Sequence, residues 1–129
     1  MSATYTAPIA AAVARLVQFA RDTETACLDR CGTAEDALAE AKWKLCLAQK
    51  AIDGIVLVNS STAIATLGKV QAEIARFLKT VNSVLPLTSP GLSMGEAAPK
   101  ISPLLADVKP LLELVVSLDP FVSPTGRMF

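Results

Sequence analysis

Apolar residues return every three or four positions along four stretches of this chain, a spacing that gathers onto one face of a helix. On a wheel of about 100° per residue, Ile9, Val13, Leu16, Ala20, Cys27 and Cys31 line one face of the first stretch. Gln18, Asp22, Thr25 and Asp29 line the other. Pro8 suits a first turn and Gly32 a stop, which predicts a helix over 8–31.

Thr33 can cap the second stretch, and Glu35 and Asp36 sit well at the positive end of its dipole. Ala34, Leu38, Ala41, Leu45, Ala48 and Ile52 form its stripe, with Glu40 and Lys44 spaced as an i,i+4 ion pair. Gly54 can end this helix and leave 55–58 as a short extended piece; the preferred reading is helix over 34–58. Asn59, Ser60 and Ser61 are capping residues for a third helix over 61–85, whose expected seam is Ile64, Leu67, Gln71, Ile74, Leu78, Val81 and Leu85. The stretch 86–100, rich in Pro, Ser and Gly, is expected to be a loop. Ser102 and Pro103 then open a helix over 102–118, with a kink or a break near Pro110. The expectation is an all-α, four-helix bundle-like single domain over 1–129. An arm occupies 1–7, and an apolar tail occupies 119–129.

Composition narrows function by exclusion. Hydrophobic residues make up 52% and charged residues 19%, enough for a packed core and too apolar for disorder. Twelve Lys and Arg balance twelve Asp and Glu without runs, so neither a nucleic-acid footprint nor a polybasic membrane anchor is expected. Histidine is absent, which removes the commonest general base and metal ligand. No nucleophile has a recognisable base beside it in sequence, so the chain reads as non-catalytic, with no cofactor and no metal. The uncharged residues 1–14 lack the basic start and apolar middle of a signal peptide. The most apolar window, 101–118, carries Asp107, Lys109, Glu113 and two prolines, and so does not span a bilayer. The expected setting is a cytoplasm or another reducing aqueous compartment, the interior of a viral particle included.

The three cysteines divide between two helices. If these fold back at Gly32, Cys46 lies roughly 20 Å from the turn and Cys27 roughly 8 Å, an offset beyond the reach of a disulfide. Cys27-x3-Cys31 followed by Cys46 is similar to three-quarters of the twin CX3C pattern of small mitochondrial intermembrane-space proteins. Lys50 stands at the fourth position, so the outer bridge of that pattern cannot form, and residues 33–45 are helix formers behind a cap rather than a loop. No family is assigned on this ground, and free thiols are expected.

Apolar residues off the main stripes are the more telling ones. Trp43 and Leu47 lie one turn apart on the second helix, about 180° from Leu45 and Ile52 on the wheel. A second apolar face can mean a central helix sandwiched by neighbours, or a contact surface anchored by tryptophan. On the fourth helix Leu104, Val108, Leu111, Leu112, Val115 and Leu118 cover a broad apolar arc of about 120°. Phe121, Met128 and Phe129 extend that surface into the tail. The candidate interface is therefore Trp43, Leu47, Leu104, Leu111, Leu112, Val115, Phe121, Met128 and Phe129. It points to a structural or interaction subunit that binds a protein partner or copies of itself. The alternative is an amphipathic carrier or membrane-surface protein that opens around lipid or another apolar ligand.

Overall fold

The computed structural model describes residues 7–28, 35–58, 60–88 and 94–122. Four helices account for nearly all of them: α1 (Ala7–Leu28), α2 (Glu35–Asp53), α3 (Ser61–Thr88) and α4 (Met94–Ser117), followed by one 3-10 turn, Asp119–Phe121. The chain is an all-α four-helix bundle. α1 packs on α2 and α4, and α3 packs on the same two, so the helices close a ring in chain order. Connections this short make consecutive helices antiparallel neighbours.

The ring closes because every helix carries the same seam. Buried positions are Ile9, Ala12, Leu16, Phe19 and Thr23 on α1, and Leu38, Ala41, Leu45, Ala48 and Ile52 on α2. On α3 they are Ala63, Val70, Ile74, Phe77, Val81 and Val84; on α4, Ala97, Ile101, Leu104, Val108, Leu111 and Val115. Spacings of three and four alternate along each, half-buried Leu67 filling the gap between Ala63 and Val70 on α3, the pattern that keeps a straight seam between helices crossing at a shallow angle. Phe19 and Phe77 meet diagonally across the ring, with centroids 5.9 Å apart and planes tilted by 32°. Among the described residues the one polar side chain in the seam, Thr23, is satisfied by its own helix, since its hydroxyl donates to the Phe19 carbonyl at 2.8 Å.

The second helix meets its expected stripe from Leu38 to Ile52, whereas two others are rotated. On α1 the core takes Ala12 and Phe19, leaving Val13 and Ala20 half-buried. On α3, Ile74 and Val81 are shared by both possible seams; Val70, Phe77 and Val84 are buried, which leaves Leu78 and Leu85 half-buried against the core and Gln71 exposed. The exposed Gln71 amide donates to Asp53 on α2 at 3.3 Å. Ile64, an expected seam residue, is exposed. Cys27 and Cys31, expected on the core face of α1, have side chains outside the described ones.

Three boundaries also differ. α2 stops at Asp53 instead of 58: Ile55 dips into the core, Leu57 forms an antiparallel bridge with Val122, and the Val58 amide donates to the Phe121 carbonyl at 2.7 Å. A β-branched run gains more from that pairing than from another helical turn. Ser60 caps α3 as expected, its hydroxyl accepting from the Ala63 amide at 3.2 Å. The expected 86–100 loop shrinks from both ends. α3 continues through Pro86 to Thr88, and α4 begins at Met94 because Ala97 and Ile101 extend its seam by another two turns. Ser102 is thus no cap; its hydroxyl donates back to the Ala98 carbonyl at 2.9 Å.

α4 runs unbroken through Pro99, Pro103 and Pro110. Spaced by four and seven, they fall within about 40° on the wheel, and all three are exposed. The carbonyls left without an amide partner therefore face water, which can satisfy them. That placement is why the expected break near Pro110 is absent from the helix.

Outside the core, Arg76 ties α3 to α4. Its guanidinium donates to both Glu73 carboxylate oxygens at 3.2 and 2.8 Å, and to Asp107 at 2.6 Å. These bonds, to Glu73 first and Asp107 second, raise the Arg76 pKa above its ordinary value. All three side chains remain well exposed, so the network is worth little to stability. Truncating the diagonal contact should matter far more: Phe77→Ala is expected to lower the unfolding free energy by about 3–5 kcal/mol, measured by urea denaturation. Pro110→Ala, by returning an amide to an outward-facing turn, should raise it by about 1–2 kcal/mol. A loss on Pro110→Ala would show that the proline shapes the helix against its neighbours.

Candidate interaction surfaces

α2 contributes its inner stripe to the ring, and among the described residues no helix packs across its outer side. On that side Asp36, Ala39, Glu40, Trp43 and Lys50 are exposed, and Leu47 is half-buried. Trp43 keeps 54% of its surface accessible. The Lys44 ammonium lies over the indole, 4.6 Å from the ring centroid. It does so in place of the i,i+4 ion pair expected with Glu40; neither ion pair among the described residues involves either side chain. Cys46, beside this strip, is a free and half-buried thiol.

The wide arc of α4 divides in two. Leu104, Leu111 and Val115 are at most 1% exposed and belong to the bundle's own core, so they offer no surface to a partner. This corrects their placement in the candidate interface, and the reason is the ring: α4 has both α1 and α3 to cover it. Leu112 stays half-buried outside. With Val116, Lys109, Glu113 and Ser117 it lines a shallow, mostly apolar depression of about 460 Å³. Phe121 packs half-buried against the end of the core. Met128 and Phe129 lie outside the described residues.

The interface residues are therefore not brought together. α2 and α4 stand at opposite corners of the ring, so Trp43 and Leu47 face away from Leu112. A third apolar group was missed at the sequence level: Val56 and Val58 in the extended piece, and Ile64 on the first turn of α3, are each more than 40% exposed. The signal was present in four consecutive apolar residues, since an extended run must turn alternate side chains outward. Reading 55–58 as helix concealed it.

A groove of about 380 Å³ between α3 and α4 is lined by Lys69, Ala72, Glu73, Asp107, Pro110, Leu111 and Leu114. Both its carboxylates are engaged by Arg76. Among the described residues no group of three or more His, Cys, Asp or Glu is placed to hold a metal ion, and no helix is long and apolar enough to cross a membrane.

Trp43 is the single tryptophan, which makes it a direct reporter of its own surroundings. In dilute solution its emission should be red-shifted and readily quenched by acrylamide; raising the protein concentration should shift it to the blue. Emission that is blue and protected at every dilution would mean the indole is covered within one chain. No protein family, curated protein or solved structure matches this chain.

Proposed function

We propose that this chain is a non-catalytic helical subunit that assembles, with itself or with another protein, through apolar strips on the outside of a complete bundle. The observation that carries this reading is Trp43, 54% exposed and one turn from Leu47, on a side of α2 that the ring leaves open. A bundle that fills its core without its only tryptophan leaves about half of that side chain's apolar surface in water. Tryptophan is the residue type most enriched where a few side chains supply the energy of association. The outward Leu112 and Val116 supply a second, smaller strip on the opposite side. A carrier opening around lipid would instead have to expose Ile101, Leu104, Leu111 and Val115, which the closed bundle buries.

The test is mass in solution by light scattering on a size-exclusion column, from micromolar to millimolar protein. It is paired with capture of partners on wild-type and variant bait. A mass above 13.5 kDa, or a captured partner, that is lost on Trp43→Glu or Leu112→Glu supports the reading. A monomer throughout, with capture unchanged by both substitutions, overturns it. Co-sedimentation of the protein with liposomes, abolished by the same substitutions, would overturn it in favour of a membrane surface.

A further inference from the structure

We propose that the outer face of α2 pairs with the same face of a second copy of this chain, the two helices running antiparallel about a dyad near position 45. This rests on the reading of the chain as an assembling subunit, and it adds the partner and the register. The argument is the order of charges along one exposed strip. Asp36 and Glu40 occupy its N-terminal half, Trp43 and Leu47 its middle, and Lys50 its C-terminal half.

A parallel pairing would set Glu40 beside Glu40 and Lys50 beside Lys50, with like charges in contact. An antiparallel pairing sets each Glu40 opposite the other copy's Lys50. Trp43 and Leu47 lie equally far from position 45, and so do Glu40 and Lys50. One dyad therefore satisfies the apolar and the charged pairs together. Asp36, one turn before Glu40, brings a second carboxylate towards the same lysine. Glu40 and Lys50 belong to neither ion pair among the described residues, so nothing there competes for them. Ala39 is small enough to let the helix axes approach, and it leaves Trp43 as the tall residue at the centre. A surface that matches itself under a twofold rotation is the requirement for a closed dimer, whereas a mismatched one would propagate.

Charge reversal tests the register. Glu40→Lys should raise the dimer dissociation constant roughly tenfold, because symmetry places the repulsion at two sites. Adding Lys50→Glu to the same chain should return it to within about twofold of wild type. Both residues are exposed, so helical content by circular dichroism should be unchanged in each variant. In native protein mixed from two isotope labels, zero-length carbodiimide coupling should join Glu40 of one chain to Lys50 of the other.

A double variant as weak as the single one, or inter-chain links confined to residues 109–117, overturns the antiparallel pairing. A protein that is monomeric at every concentration overturns it too. If the pairing fails while Trp43→Glu still removes assembly or partner capture, only the register and identity of the partner fall. If Trp43→Glu and Leu112→Glu change neither, the assembling reading falls with it.

Discussion

Everything in this bundle depends on a seam that alternates threes and fours on all four helices, closed at its centre by Phe19 against Phe77. Four helices in a ring leave an axial channel that neighbouring pairs alone do not fill. Two phenylalanines reaching across from opposite corners fill it. Much of the rest of the seam is smaller: Ala12 on α1, Ala41 and Ala48 on α2, Val70 and Val84 on α3. Small residues of this kind let neighbouring helices approach, while the two largest buried side chains meet each other across the ring. Once Phe19 and Phe77 are inside, the rotation of α1 and α3 about their axes is set. Gln71 and Ile64 then turn outward, and Val13 is left half-buried at the edge of the core.

That rotation also explains which parts of the fold were legible. α2 was read correctly from Leu38 to Ile52 because a seam one residue to either side would bury Glu40 and Lys44, or Lys42 and Asp53. α3 admits two seams that share Ile74 and Val81, and they differ by one residue at every other contact. Gln71 was the available clue: a polar side chain in one candidate seam, against Val70 and Phe77 in the other. Helix ends were less legible, for a different reason. Pro86, Pro99 and Pro103 suggest a loop when local preference alone is weighed. Packing decides otherwise, since Ala97 and Ile101 continue the seam and the prolines point to water.

The end of the bundle where α2 gives way to α3 shows a long-range contact overriding a local one. The segment 55–58 is extended because its partner lies more than sixty residues later, at Phe121 and Val122. No window centred on 55–58 contains that partner, so periodicity could not supply it. The same bridge accounts for the path of the chain beyond α4. The 3-10 turn at Asp119–Phe121 redirects the chain so that Val122 covers the end of the core, with Ile55 beneath the α2–α3 connection. Part of the expected apolar tail is therefore a seal on the bundle rather than surface.

The candidate surface was half legible, and the half that failed is instructive. A wheel counts how wide an apolar arc is, but the number of neighbours decides how much of it is covered. α4 uses its arc on α1 and α3, which removes Leu104, Leu111 and Val115 from the outside. α2 has the same number of neighbours and a narrower main stripe, so Trp43 remains out. Burying the accessible part of one tryptophan is worth about 2–3 kcal/mol. Two of them across a dyad would therefore do no more than offset the loss of free tumbling on association, about 4–15 kcal/mol. On that balance, in the proposed pairing Trp43 would set where contact occurs, while Leu47 and the flanking charges would decide whether it persists. An interface of this kind is weak between free chains. It becomes strong when copies are held side by side, because the second contact then forms at high effective concentration. A small bundle with one modest strip on α2 and another on the opposite corner suits repeated, additive contacts better than a single tight embrace.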